Sequence, residues 1–88
     1  MKVEYTSLFS KDLDKIENDD VLEKIEKVID QVKISQKPMD ITHIKKMKNA
    51  KNAFRIRVGN YRIGIYINGE TVIFTRVALR KDIYDIFP

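Results

Sequence analysis

The sequence predicts an α+β fold, a small antiparallel sheet packed against an N-terminal helical hairpin and ending in a short C-terminal segment. Three observations carry that prediction. Residues 54–67 alternate apolar and polar side chains on either side of Gly59-Asn60, the period of a half-buried strand pair. Residues 20–35 repeat apolar side chains at helical spacing instead. With 88 residues, 43% of them hydrophobic and only 3 Gly and 2 Pro, the chain has material for one modest core and none for a second, so residues 1–88 are read as one domain.

The first element is a short strand, Lys2 to Thr6, whose face is set by Val3 and Tyr5. Ser7 is expected to cap a helix through Glu17, in which Phe9, Leu13 and Ile16 form the apolar side. The second helix opens at Asp20, which with Glu23 resembles a capping box. It runs to about Ser35 along Val21, Leu22, Ile25, Val28, Ile29 and Val32. Pro38 then ends the helical hairpin, because it lacks an N–H donor and disfavours helical geometry at the residue before it. Ile41 to Ala53 fits a helical turn or an irregular connection equally well.

Phe54 to Val58 and Tyr61 to Ile67 form the clearest hairpin, since Gly59-Asn60 suits the positive φ of a two-residue turn. That turn pairs Val58 with Tyr61, Arg57 with Arg62, Ile56 with Ile63 and Arg55 with Gly64. Phe54, Ile56, Val58, Tyr61, Ile63, Ile65 and Ile67 then face the helices, and Arg55, Arg57, Arg62 and Tyr66 share the other side. A turn at Asn68-Gly69 leads to a strand from Thr71 to Val77. A two-residue loop sets Thr75 beside Arg62, whereas a three-residue loop that includes Glu70 brings Arg76 onto the arginine face. Lys81 to Phe87 is a short, helix-compatible end that can fold over the same face with Arg80, Lys81 and Tyr84.

Charge is unevenly distributed. Residues 1–40 hold 7 basic and 10 acidic side chains (net −3), whereas residues 41–88 hold 10 basic and 3 acidic ones (net +7). An excess of that size suits a polyanion or an acidic protein partner, and it also fits a solvated basic surface. Lys45, Lys46, Lys48, Lys51, Arg55, Arg76 and Lys81 are the candidate contacts to a polyanion such as RNA or DNA. Direct opposition of Arg57 and Arg62 is repulsive, and an anion bridging them would relieve it; a solvated face on which the arginines splay apart is the alternative.

No cysteine is present, which removes disulfides, thiolate metal sites and thiol nucleophiles. His43 is the only imidazole and has no acidic partner at a catalytic or ligand spacing, so a surface or packing role is expected and no metal or other cofactor is implied. No apolar run approaches the roughly 18 residues of a membrane span, and the first residues lack a signal-peptide core, so a cytoplasmic protein without membrane association is expected.

The order strand, helical hairpin, basic linker, FRIRVGNYRIGIYI and VIFTRVALRKDIYDIF resembles the RelE/ParE superfamily of bacterial toxins from toxin–antitoxin pairs. Within it, the arginine pattern and Tyr84 are similar to those of the RelE-type mRNA interferases. That resemblance implies a toxin that enters the ribosomal A site and cuts mRNA by driving a ribose 2′-OH onto the adjacent phosphate. Arg57, Arg62, Arg80 and Tyr84 would be catalytic. Arg57 and Arg62 would hold the non-bridging oxygens, and Tyr84 would stack on a base or assist proton transfer. The implied partners are a cognate antitoxin, the ribosome and mRNA. The same fold also carries ParE-like inhibitors of DNA gyrase and leaves room for a toxin that binds RNA without cutting it.

Overall fold

A computed structural model describes residues 1–88 as one five-stranded sheet with helices on both sides. In chain order the elements are β1 (Lys2–Tyr5), α1 (Ser7–Asp14), α2 (Asp19–Ile34), a 3₁₀ turn (Pro38–Asp40), β2 (Ile44–Lys46), β3 (Ala53–Val58), β4 (Tyr61–Asn68), β5 (Thr71–Leu79) and α3 (Arg80–Ile86). The strand order is β1-β5-β4-β3-β2.

Both N-terminal helices are capped one or two residues earlier than their sequences suggest. Thr6, not Ser7, caps α1: its Oγ1 accepts from the Phe9 N–H at 3.1 Å while donating to the Thr75 carbonyl at 2.8 Å, which fastens the helix start to β5. For α2 the cap is Asn18, whose Oδ1 accepts from the Asp20 and Val21 N–H groups. Asp19 and Asp20 then lie in the first turn, where the helix dipole favours carboxylates. Apolar side chains of both helices (Phe9, Ile25, Val32) meet Ile56, Val58, Ile63, Ile65, Val72, Phe74 and Val77 to form the main core.

The β3–β4 register is the expected one, with Val58 opposite Tyr61, Arg57 opposite Arg62 and Arg55 opposite Gly64. Three features of the sheet differ from expectation. β1 joins it parallel to β5, with Val3 beside Val72 and Tyr5 beside Phe74, so one edge is parallel and the rest antiparallel. The stretch 41–53 contributes an edge strand, β2, which places Lys45 opposite Arg55. The β4–β5 loop is Gly69-Glu70, with Asn68 paired to Thr71 and a register shift at Gly64/Ile65 that sets Arg62 opposite Ala78, so neither anticipated register forms.

That shift coincides with a buried ion pair. Asp12 on α1 accepts from Arg76 Nε at 2.8 Å, Arg76 Nη2 at 3.1 Å and the Val77 N–H at 3.1 Å. Burial alone would raise the Asp12 pKa. The hydrogen bonds from Arg76 and Val77, with the nearby positive charge, outweigh it and hold the carboxyl below its ordinary value, while Asp12 raises that of Arg76. Replacing Asp12 by Ala would strand a guanidinium and a β5 amide, and denaturant unfolding at pH 7 should read a loss of about 3 kcal/mol. Because the native pKa is depressed, the carboxylate's contribution is complete above the unfolded value of about 4. It disappears as pH falls through the lower native value. The stability gap between the parent and Asp12→Asn should therefore narrow below pH 4.

A second, smaller cluster occupies the opposite face. Ile83 and Phe87 of the C-terminal segment pack with Met47 and Ala53, joined by Tyr66 and Ala78. Gly64, which the register leaves as a gap opposite Arg55, is where the Phe87 ring sits: a Cβ there would lie 2.5 Å from two ring carbons. Tyr66 meets the same ring edge-on, with centroids 5.1 Å apart. The chain end therefore folds over the arginine face as anticipated and leaves the rest of that face open.

Candidate phosphate and RNA site

Arg62 lies at the centre of the open part of the face. It is 7% exposed, and its Nη1 donates to the Gly59 and Tyr61 carbonyls, both at 2.9 Å, so the side chain is held by the turn that precedes it. A guanidinium carries five N–H donors, and those on Nε and Nη2 have no partner in the protein. Burial, followed by the charges of Arg55 and Arg80, lowers the pKa of Arg62; Tyr84 opposes that shift and Arg57 adds to it. Arg55, Arg57, Arg80 and Tyr84 thus all act electrostatically on Arg62, in a site rich in positive charge. Such a site gains most from an anion that takes the free N–H groups.

Arg57 and Arg62 stand directly opposite each other, yet the structure meets their repulsion with separate acceptors. Arg57 Nη2 lies 3.0 Å from His43 Nδ1, while Arg62 is bound to the turn carbonyls. Because a guanidinium offers only donors, Nδ1 accepts, and the ring proton belongs on Nε2. His43 is also the only non-glycine residue with positive φ (63°), and its carbonyl accepts from the Arg57 N–H at 3.2 Å. His43 is exposed, as expected, and it contacts Arg57 as well. It lines one cleft together with Arg55, Arg57 and Arg62, and only the pairing of an irregular linker with β3 brings it there.

The other candidates divide into two groups. Lys45 and Lys48 line a second cleft with Arg55 and Tyr84, and Arg80 and Lys81 line a third, again with Tyr84. The exposed Tyr84 ring therefore borders both. Arg76 does not join them, because Asp12 holds its guanidinium against α1; its proposed RNA contact is withdrawn on that geometry. Lys46 lines the second cleft as well, with its ammonium over the Phe54 ring and donating to the Lys51 carbonyl. Lys51 is exposed in the turn between β2 and β3, away from the clefts. Nowhere do three or more His, Cys, Asp or Glu side chains converge as a metal site would require.

Comparison with known proteins shows the family. The family model described as the ParE toxin of the type II toxin–antitoxin system parDE matches residues 3–84. Toxin RelE3 of Methanocaldococcus jannaschii is 46% identical over 89 residues, covering the whole of both chains. The chain belongs to the RelE/ParE superfamily of toxins. Among solved structures, the RelB-RelE antitoxin-toxin complex from Methanococcus jannaschii matches at 42% identity and a TM-score of 0.81, covering 97% of this chain and 99% of its counterpart. The RelBE2 complex of Mycobacterium tuberculosis matches at 26% identity and a TM-score of 0.71, over 90% of this chain and 96% of that one. An archaeal RelE-RelB complex from Pyrococcus horikoshii shares the RelE fold at 16% identity, with a TM-score of 0.73 over 90% and 93% of the two chains. In this chain the sheet carries basic residues on the face away from α1 and α2. No helix is long and apolar enough to cross a membrane.

Proposed function

We propose that this RelE-type toxin is a ribosome-dependent endoribonuclease that cuts mRNA in the A site and is held inactive by a cognate antitoxin. The observation that carries the reading is Arg62, buried and fixed by the turn, with free N–H groups amid Arg55, Arg57, Arg80 and Tyr84. In the reaction, the ribose 2′-oxygen bonds to the adjacent phosphorus, the bond to the 5′-oxygen breaks, and the 2′-hydroxyl proton leaves while the departing oxygen gains one. The products are a cyclic phosphate and a 5′-hydroxyl. Negative charge builds on the non-bridging oxygens as phosphorus becomes five-coordinate, and donors already in place stabilise it without reorganising. Arg62 and Arg57 supply those donors. Tyr84 stacks on a neighbouring base or carries a proton, and the Nε2–H of His43 lies within the same cleft as a further donor. Positioning of the mRNA falls to the ribosome.

The antitoxin partner follows from the complexes of the relatives and from the +7 half of the chain, which an acidic, extended segment would neutralise. The test is a reconstituted translation reaction with programmed ribosomes and mRNA in the A site, read by primer extension for a new 5′ end. Tyr84→Phe should slow cleavage by roughly a hundredfold if the phenol moves a proton, with RNA binding unchanged. A Tyr84→Phe rate equal to the parent's would leave the ring with stacking alone. A second reading is favoured by the ParE description of the matching family: inhibition of DNA gyrase. It would appear as gyrase-dependent DNA breaks that persist in Arg62→Ala, with intact mRNA.

A further inference from the structure

We propose that His43 is a positioning residue for the cut: its neutral imidazole aims the Arg57 guanidinium at the scissile phosphate without cancelling its charge, and Gln31 on α2 keeps His43 in place. The inference rests on the ribonuclease reading and names what orients one of the two arginines assigned to the phosphate.

His43 holds Arg57 at both ends. Its carbonyl accepts from the Arg57 N–H at 3.2 Å, and its Nδ1 accepts from Arg57 Nη2 at 3.0 Å. The His43 backbone, with φ of 63°, is in a left-handed conformation that few side chains adopt and that persists only where neighbours enforce it. Neighbours on both sides do so. Gln31 devotes its whole carboxamide to Thr42, the residue before: Nε2 donates to Thr42 Oγ1 at 2.6 Å, and Oε1 accepts from the Thr42 N–H at 3.4 Å. On the other side Ile44 enters β2 and pairs with Ile56 of β3. Thr42 and His43 are both exposed, so this clamp does not serve the core. What it fixes is Arg57.

The kind of acceptor decides what a fixed arginine can do. Arg76 on β5 is also held, but by the Asp12 carboxylate, which compensates its charge and turns it against α1. An imidazole nitrogen instead takes one N–H of Arg57 and leaves the guanidinium its full charge and four further N–H groups. A long side chain that is oriented in advance loses less freedom when it meets the phosphate. Arg62 is oriented by neutral acceptors too, the carbonyls of the turn, so the two opposed arginines are fixed by the same device. The device depends on a proton-free Nδ1. Charged groups facing His43 are Lys45 of β2, Arg55 and Arg57 of β3 and Arg62 of β4, while α2 contributes the neutral Gln31 by way of Thr42. No carboxylate lines that cleft. A second proton on the ring removes the acceptor and sets a new cation beside Arg57, so acid releases the guanidinium.

The experiment follows A-site cleavage on programmed ribosomes by primer extension, between about pH 8 and pH 6, for the parent, His43→Gly and His43→Asn. Glycine and asparagine both tolerate the left-handed backbone, and only asparagine returns an acceptor near the place of Nδ1. His43→Gly should lower kcat roughly thirtyfold and leave KM within about twofold, the signature of lost orientation. His43→Asn should stay within about threefold of the parent at the alkaline end and lose the parent's fall in rate toward acid, since a carboxamide does not titrate. Gln31→Ala should slow the parent about fivefold and leave His43→Gly unchanged, because both act through one contact. A parental rate in His43→Gly overturns the proposal, as does a His43→Asn variant as slow as His43→Gly or an acid limb that survives in His43→Asn. Equal slowing by Gln31→Ala in both backgrounds overturns the link to α2. Nitrogen-15 NMR of the free protein reads the contact apart from the reaction: the Arg57 Nη signals should be separate in the parent and in His43→Asn, and averaged in His43→Gly. That pattern with intact mRNA removes the nuclease reading, and the positioning role with it, while keeping the contact; averaged Arg57 signals in the parent overturn the contact itself.

Discussion

Arg62→Ala should leave the toxin at least about a thousandfold slower in cutting A-site mRNA. Removing one fixed donor from a site that stabilises developing charge costs about 10²–10³ in rate, and Arg62 brings several N–H groups to the same phosphate. Folding has to be separated from chemistry here, because the side chain also bonds the Gly59 and Tyr61 carbonyls. Hydrogen bonds from a charged donor contribute roughly 1.5–3 kcal/mol, so the alanine variant should also unfold at lower denaturant. Arg62→Lys resolves the two effects. Lysine keeps the charge but cannot hold two turn carbonyls and still present a planar fork, so it should regain RNA affinity and little of the rate. Near-parental cleavage by Arg62→Ala, in a folded preparation, would remove the arginine from the chemistry.

Gly64→Ala should nearly abolish activity by a different route. The added methyl would lie 2.5–2.8 Å from three carbons of the Phe87 ring, closer than packed atoms approach. Phe87 must therefore leave its seat on the sheet. With it goes the cluster that attaches α3, and with α3 the positions of Arg80 and Tyr84. The main core, built from α1, α2 and the other face of the sheet, is untouched. Far-ultraviolet circular dichroism should thus stay close to that of the parent while cleavage falls about a hundredfold, a loss that misplacement of about 1 Å can produce. Combining Gly64→Ala with Phe87→Leu should restore part of the rate, since the smaller side chain makes room. A double variant no better than Gly64→Ala would show that the two residues do not act through one contact.

The legible parts of this molecule are those governed by residues close in sequence. The β3–β4 register was readable because the alternation and the Gly59-Asn60 turn lie within one short stretch, and with it came the shared face of Arg55, Arg57 and Arg62. The β4–β5 register was not, because the turn falls at Gly69-Glu70 and because Asp12, far away on α1, takes the Val77 N–H and the Arg76 guanidinium at the point where the strand slips. The same contact removes Arg76 from the RNA candidates. The gap at Gly64 was visible as a hollow, but its occupant, Phe87, is 23 positions downstream and carries no local mark of its destination. The contact of His43 with Arg57 was not legible for a related reason: nothing in ITHIKKMK announces a left-handed backbone or a partner on β3. The parallel pairing of β1 with β5 joins the two ends of the chain, and no periodicity within either strand encodes it.

That pairing also fixes an order of events during synthesis. Lys2 pairs with Thr71 and Tyr5 with Phe74, so the first strand to emerge waits for the last one before it has a neighbour. Until then α1 lacks the strand it packs on, and the main core lacks Val72, Phe74 and Val77, all on β5. Closing so long a loop costs entropy that only the completed sheet offsets, and topologies of this kind fold slowly. Arg80 and Tyr84 come later still. A partly made chain therefore has no assembled arginine site until β5 and α3 have both been made.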